Sequence, residues 1–279
     1  MLARPARARI LPDVAPERMH TIDVTEPPEE FISGDQLTPY QTATKGMCWW
    51  CGAIANSKEH KFKRTDLARM GRESELLWGS DDELVRIRSN RKSKIVKFQR
   101  NLCTECNNRR SQPFDYAYDK YADYVWSNLD RLWRRSKLDM RQVFGENWQV
   151  DTLDLARYVA KHIACRMASD GYPVPPQFGQ FLDGAATLPS VHMVLFKDPA
   201  MWELRRRFID QGIEGDGLWM APATGAASPS RGRLTMFSSS FTLGYIGFMY
   251  RWDEDASSVD PFYLYRKATL HRRDRLPDQ

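Results

Sequence analysis

Two C-x-x-C pairs constrain this chain more than any other feature of its sequence. Cys48 and Cys51 form the first pair, Cys103 and Cys106 form the second, and 51 residues lie between them. Four thiolates from two such pairs can close one tetrahedral zinc site, and ligation then stabilises a segment with little apolar core of its own. Gly52 follows the first pair and permits the tight turn that points both thiolates inward. We therefore predict a structural zinc ion bound by these four cysteines.

The fifth cysteine, Cys165, stands apart from both pairs. An odd number of cysteines without a secretory signal argues against a disulfide scaffold and favours a reducing compartment, so we expect a cytoplasmic protein. Redox use of either pair is the weaker interpretation, because neither lies in a recognisable thioredoxin-like unit. Cys165 falls within an apolar helical pattern and is predicted to be a small core residue. The apolar runs are far shorter than a membrane span, so we expect no membrane partner.

The 279 residues are expected to form an α+β fold arranged in three regions. Residues 1–45 mix prolines with scattered acids and few apolar clusters, and we predict a flexible N-terminal arm. Residues 46–149 are predicted to form the zinc module and to end in a helix, because apolar residues recur at three- and four-residue steps over 114–132. Residues 150–279 are predicted to form a second α+β domain of unknown role.

The second domain shows helical patterns before strand patterns. Apolar residues recur with helical spacing over 155–167, and Gly171 with Pro173 ends that helix. Antiparallel pairing is expected among the late strands. The remaining expectations are helices near 178–182 and 201–209, strands at 191–196, 234–241, 245–252 and 262–270, and a loop at 222–232.

A basic stretch spans the interval between the cysteine pairs. Residues 58–110 contain 15 lysines and arginines against 8 aspartates and glutamates, an excess of +7, whereas the whole chain carries +5. Such an excess over a candidate site suggests a phosphate-rich ligand, although a solvated face is the commoner meaning of a charge run. Within this stretch, residues 84–88 and 94–98 are predicted to form a basic β-hairpin with its turn at 89–91.

The chemistry-bearing residues lie directly after the cysteine pairs. Glu59 and His60 follow the first pair, and Asn107 follows the last cysteine. Hydrolysis of a phosphodiester at neutral pH needs a base to activate water and a cation to stabilise charge on the phosphate. His60 can act as the base, and Glu59 and Asn107 carry oxygen donors suited to Mg²⁺ or Mn²⁺. Nearby basic residues could hold the flanking phosphates of DNA, with RNA not excluded: Lys61, Lys63, Arg64, Arg109 and Arg110.

This arrangement resembles the HNH endonuclease family, the zinc-containing branch of the ββα-metal nucleases. The family motif runs C-x-x-C-G, then [DE]-H-[IVF], then L-C-x-x-C-[HN], and the matching pieces are residues 48–52, 59–62 and 102–107. The resemblance covers residues 47–126. It implies a β-hairpin that holds His60, followed by a helix that presents Asn107. It also implies that His60 is the general base, that Asn107 is a metal ligand, and that Glu59 takes the position of an acidic ligand.

The chain departs from compact HNH modules in one interval. The stretch from His60 to Cys103 is longer than usual and leaves room for the basic hairpin as an insertion. Asn90 and Asn101 are both candidates for the asparagine that braces the metal loop. Asn107 could instead cap the helix that follows it. The remaining histidines have no motif context and are predicted to be structural or exposed: His20, His162, His192 and His271.

Two further hypotheses follow from the same residues. The zinc module could be a non-catalytic unit that binds nucleic acid or a protein. Residues 150–279 could also form a docking or sensor domain through which a protein partner controls the nuclease. Cleavage that depends on His60 separates the first alternative from the nuclease hypothesis, and deletion of residues 150–279 tests the second.

Overall fold

The computed structural model describes residues 31–32, 34–42, 46–70, 77–79, 84–86, 93–212, 217–256 and 261–276. Within these ranges the fold is mixed α+β, as the sequence predicts, with one large sheet and six α-helices. No helix among the described residues is long and apolar enough to cross a membrane.

Among the described residues, helices and strands are interspersed up to residue 210, and strands with short 3-10 turns follow. The described strands are β1 (Phe31–Ile32), β2 (Leu77–Gly79), β3 (Leu84–Arg86), β4 (Lys137–Asp139), β5 (Val191–Lys197), β6 (Leu218–Met220), β7 (Thr224–Ser228), β8 (Arg233–Leu243), β9 (Ile246–Asp253) and β10 (Lys267–Arg272). The described helices are α1 (Arg64–Arg69), α2 (Gln112–Trp133), α3 (Met140–Phe144), α4 (Trp148–Ser169), α5 (Pro176–Leu182) and α6 (Pro199–Asp210).

Eight of the strands form one sheet in the order β1-β7-β8-β9-β5-β10-β4, with β6 paired to β8. Strands β7, β8, β9 and β5 are joined by antiparallel pairing, which confirms the expectation for the late strands. Strand β10 instead runs parallel to β5. The difference arises because β10 does not pair with the β8–β9 hairpin. It pairs instead with the edge of β5 that faces away from β9.

Most predicted elements of the second domain are present, with two differences. Strands β5, β8 and β9 and helices α4, α5 and α6 lie where the patterns place them. The predicted strand at 262–270 is shorter, because Phe262–Leu264 forms a 3-10 turn before β10. The predicted loop at 222–232 contains β7, whose small residues have weak intrinsic preference for strands. Pairing with the long strand β8 overrides that weak preference.

The described part of the predicted N-terminal arm is docked on the sheet. Strand β1 pairs antiparallel with β7, and a 3-10 helix follows at Gly34–Tyr40. Leu37 in that helix is buried and packs close to Gly225, where an added Cβ would lie 3.0 Å from the Leu37 side chain. One apolar side chain and strand pairing therefore hold these described residues, and the flexible arm over residues 1–45 stays a prediction. Residues 1–30 and 43–45 lie outside the described ranges.

The predicted basic hairpin is not formed between the expected partners. Strand β3 pairs antiparallel with β2, a short strand that precedes it. Residues 94–98 form a turn that leads into an isolated bridge between Lys97 and His60. The expected turn at 89–91 lies outside the described residues. β-Branched residues and a suitable turn sequence favour a hairpin but do not determine the partner of a strand.

The two long helices α2 and α4 pack against each other and against the sheet. Tyr118 of α2 and Tyr158 of α4 stack with ring centroids 4.0 Å apart, and both are buried. Asp66 of α1 is fully buried and accepts hydrogen bonds from Tyr118 Oη at 2.7 Å and Trp126 Nε1 at 3.2 Å. The predicted boundary between residues 149 and 150 falls inside α4, and buried residues on both sides belong to one cluster. The division into two domains stays a prediction.

Candidate metal centre and the Glu59–His60 segment

The four cysteines of the two C-x-x-C pairs lie together. Their sulfur atoms all lie within 4.8 Å of one another, and Cys51 Sγ is 3.7 Å from Cys103 Sγ. A tetrahedron with Zn–S distances of about 2.3 Å has sulfurs about 3.8 Å apart. This separation is far too long for a disulfide and close to that expected for a shared metal ion. The cluster could therefore hold a metal such as zinc.

The first cysteine pair lies in a tight turn that the local sequence determines. Gly52 has φ of +75°, the left-handed region that glycine enters without steric cost. Its backbone N–H donates to Cys48 O at 2.8 Å, and Cys48 N–H donates to Ala53 O at 2.6 Å. These bonds fold the turn back on itself and direct both sulfurs to the same side. The role predicted for Gly52 is confirmed.

The second pair begins a helical segment with π-type hydrogen bonding at Glu105–Arg110, which runs into α2. Cys106 is fully buried, and burial raises the pKa of its thiol. Arg110 donates from Nη1 to Cys106 Sγ at 3.3 Å, lies 4.4 Å over the Trp50 ring and pairs with Asp183. A positive charge beside a ligand sulfur favours the thiolate that a metal requires. Arg110 is thus engaged by the cluster and by Asp183, the residue that follows α5, and its side chain is 32% exposed.

Glu59 and His60 lie on a short antiparallel pair of segments beside this cluster. Ser57 N–H donates to Leu102 O at 2.9 Å, Phe98 N–H donates to Glu59 O at 2.9 Å, and Lys61 N–H donates to Val96 O at 2.8 Å. The segment at 57–61 thus runs beside the one at 96–102, which leads directly to the second cysteine pair. The structure assigns only isolated bridges here, so a ββα-metal module is not shown.

Asn107 faces the segment that carries Glu59 and His60. Its Nδ2 donates to Ser57 Oγ at 2.9 Å and approaches Lys58 O at 3.4 Å. Its Oδ1 is buried and has no hydrogen-bond partner among the described residues. Unpaired buried carbonyl oxygens are rare, because each loses its hydration without compensation. The Asn107 oxygen is therefore suited to accept a cation or a donor from a ligand.

Glu59 is held by a residue that the sequence analysis did not single out. Lys161 of α4 is 1% exposed, and its Nζ lies 3.2 Å from Glu59 Oε2, 3.5 Å from Asp115 Oδ1 and 3.2 Å from Ser111 Oγ. Burial alone would lower the pKa of Lys161, but the Glu59 and Asp115 carboxylates outweigh it and raise that pKa. Burial also raises the pKa of Glu59, against the opposing effect of Lys161. Three acceptors surround the ammonium, so we take Lys161 as charged.

Lys63 extends this buried ionic network along α2. Its Nζ donates to Asp115 O at 2.5 Å and to Asp119 Oδ2 at 2.7 Å. Thr65 Oγ1 donates to the other oxygen of Asp119 at 3.1 Å. Lys63 therefore fixes the start of α1 against α2, and its ammonium is used within the protein.

His60 lies opposite Lys97 in the antiparallel pair. Directly opposite residues of such a pair carry their side chains on the same face, so the His60 and Lys97 side chains leave the same side of the pair. The residue as a whole is partly exposed, whereas its Nε2 atom is buried. His60 thus combines a basic neighbour with restricted access to one ring nitrogen.

The basic residues predicted to hold phosphates occupy different environments. Lys63 and Arg110 contact protein carboxylates, and Arg109 pairs with Glu105 one helical turn away while staying mostly exposed. Arg64 is exposed at the start of α1, and Lys61 is half-buried. Burial and the charge of Arg166 lower the pKa of Lys61. The structure therefore places Arg64 and Arg109 at the surface and uses Lys63 and Arg110 internally.

Asn101, one of the two candidate bracing asparagines, anchors the segment to α4. Its Nδ2 donates to Cys165 O at 2.6 Å, and its backbone O accepts from Trp49 N–H at 3.1 Å. It thereby connects both cysteine pairs to the helix that carries Lys161. The other candidate, Asn90, lies outside the described residues. Cys165 is fully buried, which confirms its assignment to the core.

His162 is the other buried polar residue of α4 near this site. Its Nε2 lies 2.9 Å from Lys61 O, and its ring packs against Phe98 and Phe241. Burial lowers the pKa of His162 to about 3, so the ring is neutral. The prediction that this histidine is structural agrees with its packing. His192 and His271 are partly exposed, and His20 lies outside the described residues.

Lys161 could not be found from helical periodicity, because that pattern identifies apolar faces and not single buried charges. Thirteen residues of α4 are buried, including Thr152, Asp154, Lys161 and His162. A lysine surrounded by Val159, Ala160, Ile163 and Ala164 leaves no polar face for its ammonium. A charged residue inside such a run is the signal that points to a buried partner.

The two metal sites predicted from the sequence differ in how well the structure fits them. The cysteine cluster fits zinc in ligand type and spacing. At the other site, the unpaired Asn107 oxygen suits a divalent cation. The Glu59 carboxylate does not, because the Lys161 ammonium already lies against its Oε2 atom. No family model, no curated protein and no solved structure matches the chain. The HNH resemblance therefore rests on the motif residues themselves.

Proposed function

We propose that the chain is a zinc-stabilised endonuclease of the HNH type that hydrolyses DNA phosphodiester bonds, with His60 as the general base. One observation carries the proposal. The antiparallel pair that holds His60 and Lys97 leads, through the second cysteine pair, into the helical segment whose Asn107 contacts Ser57 and Lys58. That order of two extended segments and a helix is the order that the motif resemblance implies.

The reaction is assigned to residues of this chain. His60 takes a proton from the attacking water, whose oxygen bonds to phosphorus while the bond from phosphorus to the leaving sugar oxygen breaks. The leaving oxygen takes a proton from solvent, and Lys97 stabilises negative charge on the phosphate. Exposed Arg64 and Arg109 supply contacts to the flanking backbone. Zinc at the four cysteines holds the scaffold and takes no part in the chemistry. The Lys161 ammonium 3.2 Å from Glu59 Oε2 opposes a cation on that carboxylate. A requirement for added Mg²⁺ or Mn²⁺ stays a prediction.

The test is cleavage of supercoiled plasmid DNA by the zinc-loaded full chain, with Mg²⁺, with Mn²⁺ and with neither. His60→Ala is compared with His192→Ala, a partly exposed histidine on β5 far along the chain. Loss of a general base lowers the rate by a factor of about 10²–10⁴, so His60→Ala should fall by at least about 100-fold. His192→Ala should cut like the wild type. Equal cleavage by His60→Ala would show that the proposed mechanism is wrong.

The second candidate is a non-catalytic, zinc-stabilised module that binds nucleic acid. The buried Nε2 atom of His60 favours it, because a ring nitrogen shielded from solvent has limited access to a substrate water. This candidate predicts DNA binding that weakens steeply with salt and no cleavage with any metal. Cleavage that His60→Ala abolishes excludes it. A docking role for residues 150–279 with a protein partner stays a prediction.

A further inference from the structure

Three oxygens surround the ammonium of Lys161, which is 1% exposed. The oxygens come from three elements: Glu59 from the extended segment, and Ser111 and Asp115 from the turn before α2 and from α2 itself. The Tyr158 ring lies 5.5 Å from the same nitrogen. Carboxylate and hydroxyl oxygens are also the ligands that Mg²⁺ and Mn²⁺ prefer.

The spacing of these oxygens suits an ammonium and not a small dication. They lie 3.2 to 3.5 Å from Lys161 Nζ. Mg²⁺ requires about 2.1 Å to each ligand, so the three groups would each have to move inward by about 1 Å or more. The Lys161 ammonium lies between the three groups and keeps them at that separation, so they can approach a dication only when the ammonium is removed.

Charge leads to the same conclusion. The network contains the carboxylates of Glu59, Asp115 and Asp119 and the ammoniums of Lys161 and Lys63. The Lys161 ammonium lies 3.2 Å from Glu59 Oε2, so a dication beside Glu59 would be adjacent to that ammonium. The repulsion between the two cations is weakly screened at a buried position.

We propose that the ammonium of Lys161 takes the place of a divalent cation beside Glu59, so that this side of the candidate site is occupied by the chain's own cation. Lys161 is a positioning residue: it holds Glu59 next to His60 without touching the substrate. The consequence for catalysis rests on the proposed nuclease function, whereas the metal-binding property does not.

The proposal predicts that removal of the ammonium opens a cation site. Mn²⁺ binding is measured by the loss of its free electron-paramagnetic-resonance signal, on the zinc-loaded full chain. Lys161→Ala should gain a Mn²⁺ site at least about tenfold tighter than any binding by the wild type, and the added change Glu59→Gln should abolish the gain. Lys120→Ala is the matched control, because it removes an ammonium from an ion pair with Asp151 at the surface. It should gain nothing.

A second variant keeps the proposal testable if Lys161→Ala does not fold. Glu59→Gln in the wild-type background should leave Mn²⁺ binding unchanged, because Glu59 is not a ligand while Lys161 is present. Loss of Mn²⁺ binding in Glu59→Gln would overturn the proposal, as would a folded Lys161→Ala that binds no additional ion. Absence of DNA cleavage with the expected binding results would contradict the nuclease function alone.

Discussion

Two cation sites flank the same helical turn, and they are built in opposite ways. On one side, Cys103 and Cys106 join the first cysteine pair in a cluster that could bind a metal taken from solution. On the other side, Ser111 and Asp115 contact the ammonium of Lys161, which α4 supplies. The first site is assembled from two short motifs with recognisable spacing. The second is assembled only when α4 packs on α2. Negatively charged groups can therefore be neutralised either by a metal ion taken from solution or by a charged side chain from a distant part of the sequence.

The largest effect is expected from a substitution that removes one of the four cysteines and with it the metal. Cys106→Ser should lose the bound zinc and open the turn at Cys48–Gly52, because ligation contributes on the order of 10 kcal/mol in zinc-dependent modules. Zinc content measured by mass spectrometry should fall from about one per chain to nearly none, and proteolysis should become faster between residues 46 and 60. Cys165→Ala, a buried cysteine outside the cluster, should keep its zinc. Full zinc content in Cys106→Ser would refute a four-cysteine metal site.

The next test removes the internal cation and leaves the metal cluster intact. Lys161→Met should lower the free energy of unfolding by about 3–5 kcal/mol, because Glu59 and Asp115 then lose the charge that neutralises them. The measurement is urea unfolding at pH 7 with zinc present. Lys120→Met, which breaks the exposed pair with Asp151, should cost no more than about 1 kcal/mol. Equal decreases in the free energy of unfolding of the two variants would show that burial gives the Lys161 ammonium no special role.

The smallest expected effect concerns His162, next to Lys161 on α4, which is buried without an acidic partner. Its pKa is lowered to about 3, so between that value and about 6.5 the unfolded chain binds a proton that the folded chain does not. Stability from this residue is present at neutral pH and is lost as the pH falls, by about 2 kcal/mol between pH 7 and pH 5. His162→Phe should show a weaker pH dependence over that interval than the wild type, and His192→Gln should not. An unchanged slope in His162→Phe would contradict the neutral, buried state.

The sequence by itself determined the four-cysteine cluster, the turn at Gly52, the helices α2 and α4, and three strands of the sheet. These depend on spacing and periodicity over short distances, which local chemistry specifies. Tertiary structure decided the partner of β3, the parallel pairing of β10, the docking of Leu37, and the contacts of Lys63 and Arg110 with protein carboxylates. It also determined which residue pairs with Glu59. Its partner Lys161 lies about a hundred residues away, and no local pattern specifies which buried lysine will meet which carboxylate.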